Sequence, residues 1–377
     1  MPPGAFRLAL AYAVFVSHTL PLKLGLAAVF LFFALSGFWI FQMWTERYAF
    51  TQAPYRTFIV SRFWRLIPGF YLQLVILIAI LLLFPPDLYR SPVFPFGRLE
   101  LPNESSRQSV HMLVSHLALL GYANLEKAER IMGPAWSLDI ELQFYLIAPM
   151  LIWIVARGGV YWKVALYGVA GLGLIDYLAT HGAAADSGAL PLYLLFFVLG
   201  MEAAARKSPP GNRGAVWASA FAVGAFLITL MLPMSRSLIL EGSFSTSLCD
   251  YNVCANVTLA LGLCPYALTA ARKRAANPRF DRDLGNVTYV VYLMHMSFVA
   301  LIAHFEGNWS RYQQLPTIVA CWTAVLPAAW VAYKLFDQPI DRLRQAYVRS
   351  RRIGRTEKVA HGWQSLAAPV GALPSVD

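Results

Sequence analysis

The chain has 377 residues, of which 58% are hydrophobic and only 14% charged. That balance excludes an ordinary water-soluble domain, in which about a quarter of residues are charged, and makes lipid the expected solvent. The formal charge of +11 does not point to nucleic acid, because the basic residues gather in short connections between apolar runs, where they report topology.

Runs of apolar residues predict ten transmembrane helices, at about residues 5–23, 25–44, 66–84, 136–156, 161–179, 188–205, 214–232, 253–270, 286–304 and 315–336. The expected fold is all-α, a polytopic membrane helix bundle. An even count puts both termini on one side. The connections on that side carry Arg47, Arg56, Arg157, Lys163, Arg206, Lys207, Arg272, Lys273 and Arg274, and the tail adds a basic run from Arg342 to Lys358. By the positive-inside rule both termini are cytoplasmic. Residues 1–345 are read as the transmembrane domain and residues 346–377 as a basic, disordered cytoplasmic tail. The apolar N-terminus is read as a retained helix, since no small-residue cleavage site follows its first run. The long connection, residues 85–135, then lies outside, with an amphipathic helix near Val110–Gly121 resting on the membrane surface. Cys249, Cys254, Cys264 and Cys321 show no metal-ligand spacing, so no metal is expected; a Cys249–Cys254 disulfide in an outer loop stays open.

Within the first run, RLALAYAVFVSH places Arg7 and His18 eleven residues apart. On a helix that is about 16 Å of rise and close to three turns, so both lie nearly on one face. Either they form a polar track through the bundle, or Arg7 snorkels to the cytoplasmic surface and His18 bonds a neighbouring helix. The fourth run opens with GPAWSLDIELQFYLIAP, where Glu141 shares a face with Ser137 and sits at a depth that, from helix ends alone, matches His18; a carboxylate and imidazole pair is one reading, an interhelical clamp the other. Asp139 points elsewhere, as a cap near the helix start. In SRFWRLIPGFYL, Arg62 and Arg65 stand three apart and offer forks for the phosphates of a donor, or an anchor to lipid headgroups. FFALSGFWI contains Ser36 and Gly37, small residues that permit close helix approach, and NVTYVVYLMHMSFV sets Tyr292 and His295 near the membrane middle.

Taken in order, these stretches resemble the acyltransferase-3 family of integral membrane O-acyltransferases, from Arg7 to about Arg342. The Arg7 and His18 spacing is similar to the family's R-x10-H first helix, FFALSGFWI to its FFxLSGF helix, and SRFWRLIP to its R-x-x-R element. AWSLDIELQFYLIAP resembles its W-S-L-x-x-E-x-x-F-Y-L stretch, YVVYLMH its late S-Y-x-L-Y-x-x-H helix, with Thr288 where Ser is common, and FDQPIDR its closing acidic-x-Pro element. The resemblance implies acyl transfer, usually acetyl, from cytoplasmic acetyl-CoA to a hydroxyl of an envelope or exported glycan, by a multi-pass protein of the bacterial inner membrane.

The expected roles follow. His18, Arg7 and Glu141 are the catalytic candidates, with His18 as general base or acyl carrier. Arg62 and Arg65 hold the CoA phosphates, and Ser36, Trp136, Ser137, Tyr292 and His295 support the site. The expected partners are acyl-CoA as donor substrate, a hydroxyl-bearing acceptor and membrane lipid; no bound cofactor and no nucleic acid are expected. The rival expectation is a proton-coupled transporter of a lipid-linked glycan or small molecule, with Arg7, His18, Glu141 and His295 as relay residues.

Overall fold

The computed structural model describes residues 1–20, 24–84, 113–125, 130–179, 188–206, 212–231, 245–246, 249–306 and 311–353. Its helices are α1 (Pro3–Thr19), α2 (Gly25–Glu46), α3 (Pro54–Leu83), α4 (Trp136–Arg157), α5 (Val160–Ala179), α6 (Leu194–Ala205), α7 (Asn212–Met231), α8 (Tyr251–Ala271), α9 (Pro278–Glu306), α10 (Arg311–Ala332) and α11 (Gln338–Ser350). Helices therefore occupy all ten predicted runs. Six helical stretches are long and apolar enough to cross a membrane, those built on α2, α3, α4, α8, α9 and α10–α11. At 17 and 12 residues, α1 and α6 fall short of that length. A short antiparallel ladder pairs Ser245–Thr246 with Cys249–Asp250 just before α8. Cys254 is disulfide-bonded, while Cys264 and Cys321 are outside any disulfide. The outward faces carry large apolar side chains, among them Val75, Leu82, Val164, Leu172, Trp217 and Phe221, as a lipid-facing surface requires.

Two helix pairs build the centre. Helices α2 and α6 approach until their backbones touch: a Cβ on Gly37 would collide with the carbonyl of Phe197, and one on Gly200 with the carbonyl of Ala34. Small residues allow this, and dispersion between the closely set backbones holds the pair where lipid offers no hydrophobic drive. Helix α1 packs against α9, and its first turn is tied there by Asp281, whose Oδ1 accepts from the backbone nitrogens of Gly4 at 2.9 Å and Ala5 at 3.4 Å. A carboxylate at a helix N-terminus satisfies donors that have no intrahelical partner and meets the positive end of the helix dipole.

Three elements differ from the sequence expectation. Helix α3 begins at Pro54, a dozen residues before the apolar run, because proline suits the first turn and the basic SRFWR stretch finds partners inside the protein. After α10 the chain makes a π-helical turn, Tyr333–Asp337, before α11. That turn is tied to α9 through Asp283, which accepts from Lys334 Nζ at 2.8 Å and Tyr333 Oη at 2.9 Å. Regular structure continues past the expected boundary at residue 345. Helix α11 runs on to Ser350, and residues 351–353 pair with residues 50–52, Gln52 N donating to Arg351 O at 3.0 Å and Ile353 N to Phe50 O at 3.1 Å. Residues 346–353 thus belong with the bundle, and the rest of the expected tail lies outside the described residues.

The starts of α1, α3 and α9, with the ends of α2 and α11, gather at one end of the molecule, the basic end. At the opposite, far end the chain does not simply rise to a surface loop. Residues 113–118 are helical, with Leu113, Val114 and Leu117 facing outward and Ser115 and His116 buried. This fits the expected amphipathic character, but the segment is not perched on top of the bundle. The carbonyl of Leu117 accepts from Tyr71 Oη, and the ring of Phe70 meets those of Tyr122 at 6.2 Å and Tyr71 at 5.6 Å. Tyr71 lies about 18 Å of helix rise short of the far end of α3 at Leu83. The segment therefore dips into the bundle. Asp139 holds it there, accepting from Ala123 N at 2.9 Å and from Gln143 Nε2 at 3.0 Å, and buried Arg130 donates to the carbonyls of Leu125 and Ala123 at 2.9 and 2.7 Å. Asp139 is thus more than a helix cap: it fastens the outer connection to α4.

Candidate active site

A cavity of about 500 Å³ opens among α1, α2, α3, α4, α9 and α11. Its size is that of a small-molecule site. Arg7, Arg62, Arg65, Arg282 and Arg344 line it toward the basic end, and Ser36, Ser137, Glu141, Tyr145, Tyr289 and Tyr292 line it deeper. The sequence reading named most of these and missed Arg282, Arg344, Tyr145 and Tyr289 as wall residues.

The arginines differ in how they are held. Arg62 is 5% exposed; its Nη2 donates to Tyr48 Oη at 2.7 Å, and its guanidinium lies over the rings of Tyr48, Phe58 and Tyr145 at 5.5 to 5.9 Å. That burial rules out a headgroup anchor for Arg62. Tyr48 Oη in turn shares a 2.8 Å bond with Ser61, whose Oγ accepts from Arg344 Nη1 at 3.0 Å. Arg344 is paired with Asp341 at 2.5 Å. Arg7 and Arg65 rest on ring faces, Arg7 over Trp39 at 4.9 Å and Arg65 over Tyr289 at 5.5 Å. Cation–π contact positions a guanidinium while leaving its N–H forks for a ligand. Arg7 Nε is buried without a hydrogen-bond partner among the described residues. Arg7 belongs to the cavity wall and does not reach for the surface.

Tyr289 also locks α9 to α3, its hydroxyl donating to the carbonyl of Leu66 at 2.6 Å, two residues before Pro68. A Cβ on Gly69 would come to 2.7 Å from the Tyr289 ring and 3.1 Å from Asp337 Oδ1. Glycine at 69 is what lets the acidic-x-Pro element, Asp337 to Pro339, approach the same wall.

Deeper in, Glu141 Oε1 accepts from Ser36 Oγ at 2.7 Å and from Tyr145 Oη at 2.5 Å. Ser36 was expected to serve close packing; Gly37 does that, and Ser36 hydrogen-bonds the carboxylate. Ser137 Oγ and Tyr292 Oη share a 2.7 Å bond and lie 3.0 and 3.2 Å from Pro134 O; with one proton each, one hydroxyl donates to the other, which donates to the carbonyl. Trp136 stands off the cavity wall, packed against Phe33 and Tyr193 at 6.3 and 5.4 Å.

The two histidines lie one turn farther out, and neither is on the cavity wall. The His18 and His295 rings stack at 5.2 Å and 29°. His295 Nδ1 lies 2.6 Å from the carbonyl oxygen of Tyr292. The expected pairing of His18 with Glu141 is therefore not what the structure builds: His18 stacks on His295, and the carboxylate bonds Ser36 and Tyr145. The reason is depth. The first turn of α4 bonds Tyr292, which is at the middle of α9, so α4 begins halfway through the bundle and Glu141 sits a turn nearer the basic end. A continuous polar sequence remains: arginines, Glu141, the Ser137–Tyr292 pair, then His295 and His18.

The sequence model of the acyltransferase-3 family, described as an acyltransferase domain, matches residues 2–334. The chain belongs to the acyltransferase-3 family. Comparison with curated proteins and with solved structures finds no match. Membership makes this an acyltransferase, and the apolar helices make it a membrane acyltransferase.

Proposed function

We propose that this acyltransferase takes an acyl group, acetyl being expected, from cytoplasmic acyl-CoA and passes it through the bundle to a hydroxyl of an envelope or exported glycan, with both termini cytoplasmic in a bacterial inner membrane. One observation carries the reading: a single cavity joins five arginines at the basic end to a carboxylate and hydroxyl groups halfway through the bundle. Arginine forks suit the phosphates of CoA. Arg7 and Arg65, poised on ring faces, are the natural phosphate ligands, while Arg62 and Arg344 shape the rim through Tyr48, Ser61 and Asp341. With the nucleotide there, the thioester arm extends toward Glu141 and Tyr292. His18, one turn beyond, acts at the far side as general base or acyl carrier.

A segment that dips into the bundle and helices that begin midway are also features of carriers, in which broken helices surround a central site. Membrane vesicles separate the two readings and fix the sidedness. Inverted vesicles given acetyl-CoA outside should release CoA thiol and acquire acetyl esters, and right-side-out vesicles should do neither. Glycan movement without consumption of acetyl-CoA would favour the carrier. Turnover in right-side-out vesicles alone would reverse the orientation.

A further inference from the structure

The stacked histidines are not equivalent. His295 Nδ1 lies 2.6 Å from the Tyr292 carbonyl oxygen, and a carbonyl oxygen only accepts, so Nδ1 carries the ring proton. In the neutral ring, Nε2 is then a bare acceptor. That nitrogen is buried, in a side chain 0% exposed, and has no hydrogen-bond partner among the described residues. The ring is held by more than this one bond: Phe15 lies against it at 5.6 Å and His18 at 5.2 Å. A buried acceptor without a donor is uncommon enough in native proteins to call for an explanation, and an incoming donor supplies one. On the cavity side the same helix turn presents Tyr292, which lines the deep wall and bonds Ser137, and the His295 ring lies one turn beyond it, 6.0 Å from the Tyr292 ring.

Resting on the acyltransferase reading above, we propose that His295 is the general base of the transfer, with Nε2 taking the proton of the acceptor hydroxyl. As the acceptor oxygen bonds to the acyl carbon, its O–H bond breaks and the proton passes to Nε2. The thioester C–S bond breaks over the course of the reaction, the sulfur leaves as CoA thiolate, and the proton gained by the enzyme balances the one the thiolate takes up. Thioester and alcohol become ester and thiol, with no further reactant. His18 is then the stacking neighbour that fixes the His295 ring plane. The sequence pattern alone favours His18, because only the structure reveals which ring nitrogen is already engaged.

The test uses the full chain purified in detergent, acetyl-CoA as donor and methyl glucoside as a surrogate hydroxyl, following CoA thiol release and ester formation. His295→Asn retains a side-chain N–H for the Tyr292 carbonyl and removes the basic nitrogen. Its kcat should fall about a hundredfold or more while thermal stabilisation by CoA is unchanged. Free imidazole should restore part of the lost turnover in His295→Ala. Normal kcat in His295→Asn overturns the proposal, since a purely structural bond would be preserved there, and so does a His295→Ala variant that binds CoA normally but gains nothing from imidazole. If the unaltered protein releases no thiol from acetyl-CoA, the donor reading itself fails, and this assignment with it.

Discussion

At the basic end, five arginines share a cavity with tyrosines, a carboxylate and ring faces; halfway up and beyond, the polar groups thin to a hydroxyl pair and two stacked rings. The first region is over-determined. Arg62 alone touches Tyr48, Phe58 and Tyr145, and through Tyr48 and Ser61 it reaches Arg344 and Asp341. The second keeps one imidazole nitrogen bare. The basic region has open groups too, but Arg7 Nε and Arg62 Nε are open donors, suited to an anionic ligand, whereas the open imidazole nitrogen is an acceptor, suited to a hydroxyl proton.

The comparison breaks most visibly at His18. His18→Ala should lower acyl transfer about a hundredfold or more and leave thermal stabilisation by CoA intact; loss of CoA binding instead would place the imidazole with the donor site. Arg65→Ala should do the opposite, raising KM for acetyl-CoA about tenfold with kcat little changed, as loss of one charge-assisted phosphate contact predicts. Arg65 is a cleaner probe than Arg62, whose removal also strands the Tyr48 and Ser61 hydroxyls. The smallest effect is structural. Asp139→Ala leaves the Ala123 N–H and one of the two Gln143 amide N–H groups without an acceptor and should cost about 1–3 kcal/mol of stability, read as a lower Tm in detergent, with the KM for acetyl-CoA unchanged. A raised KM there would mean that the dipping segment shapes the donor cavity.

The sequence carries the helices well, because length and apolarity are local properties, and each of the ten runs is helical in the structure. The spacing of Arg7 and His18, the Glu141 with its turn-related Ser137, and the Arg62 and Arg65 pair were legible for the same reason: helical periodicity places them on faces without knowledge of neighbours. What periodicity cannot supply is depth. Glu141 and His18 looked level only on the assumption that α4 starts at the membrane surface, and that fails because Asp139 and Arg130 draw the preceding segment inward. Nor could Arg344 be read as part of the site, since a basic stretch near the C-terminus looks the same whether it hangs free or folds back. The backbone pairing between residues 50–52 and 351–353 decides the matter, and it leaves no mark on composition. Tyr145 did carry a signal, standing four residues after Glu141 on the same face.

The carboxylate of Asp281 that closes the first turn of α1 comes from 277 residues later in the chain. Synthesis delivers α1 long before its capping partner and its main packing surface, α9. Until then Arg7 and His18 sit in lipid or at its edge without the walls built for them, an arrangement that membranes penalise. Helix α1 is therefore made well before it can settle. A ribosome that stops before α9 would release a chain whose α1 has no home, which makes the α1–α9 pairing a checkpoint on synthesis through α9 as well as the scaffold of the site.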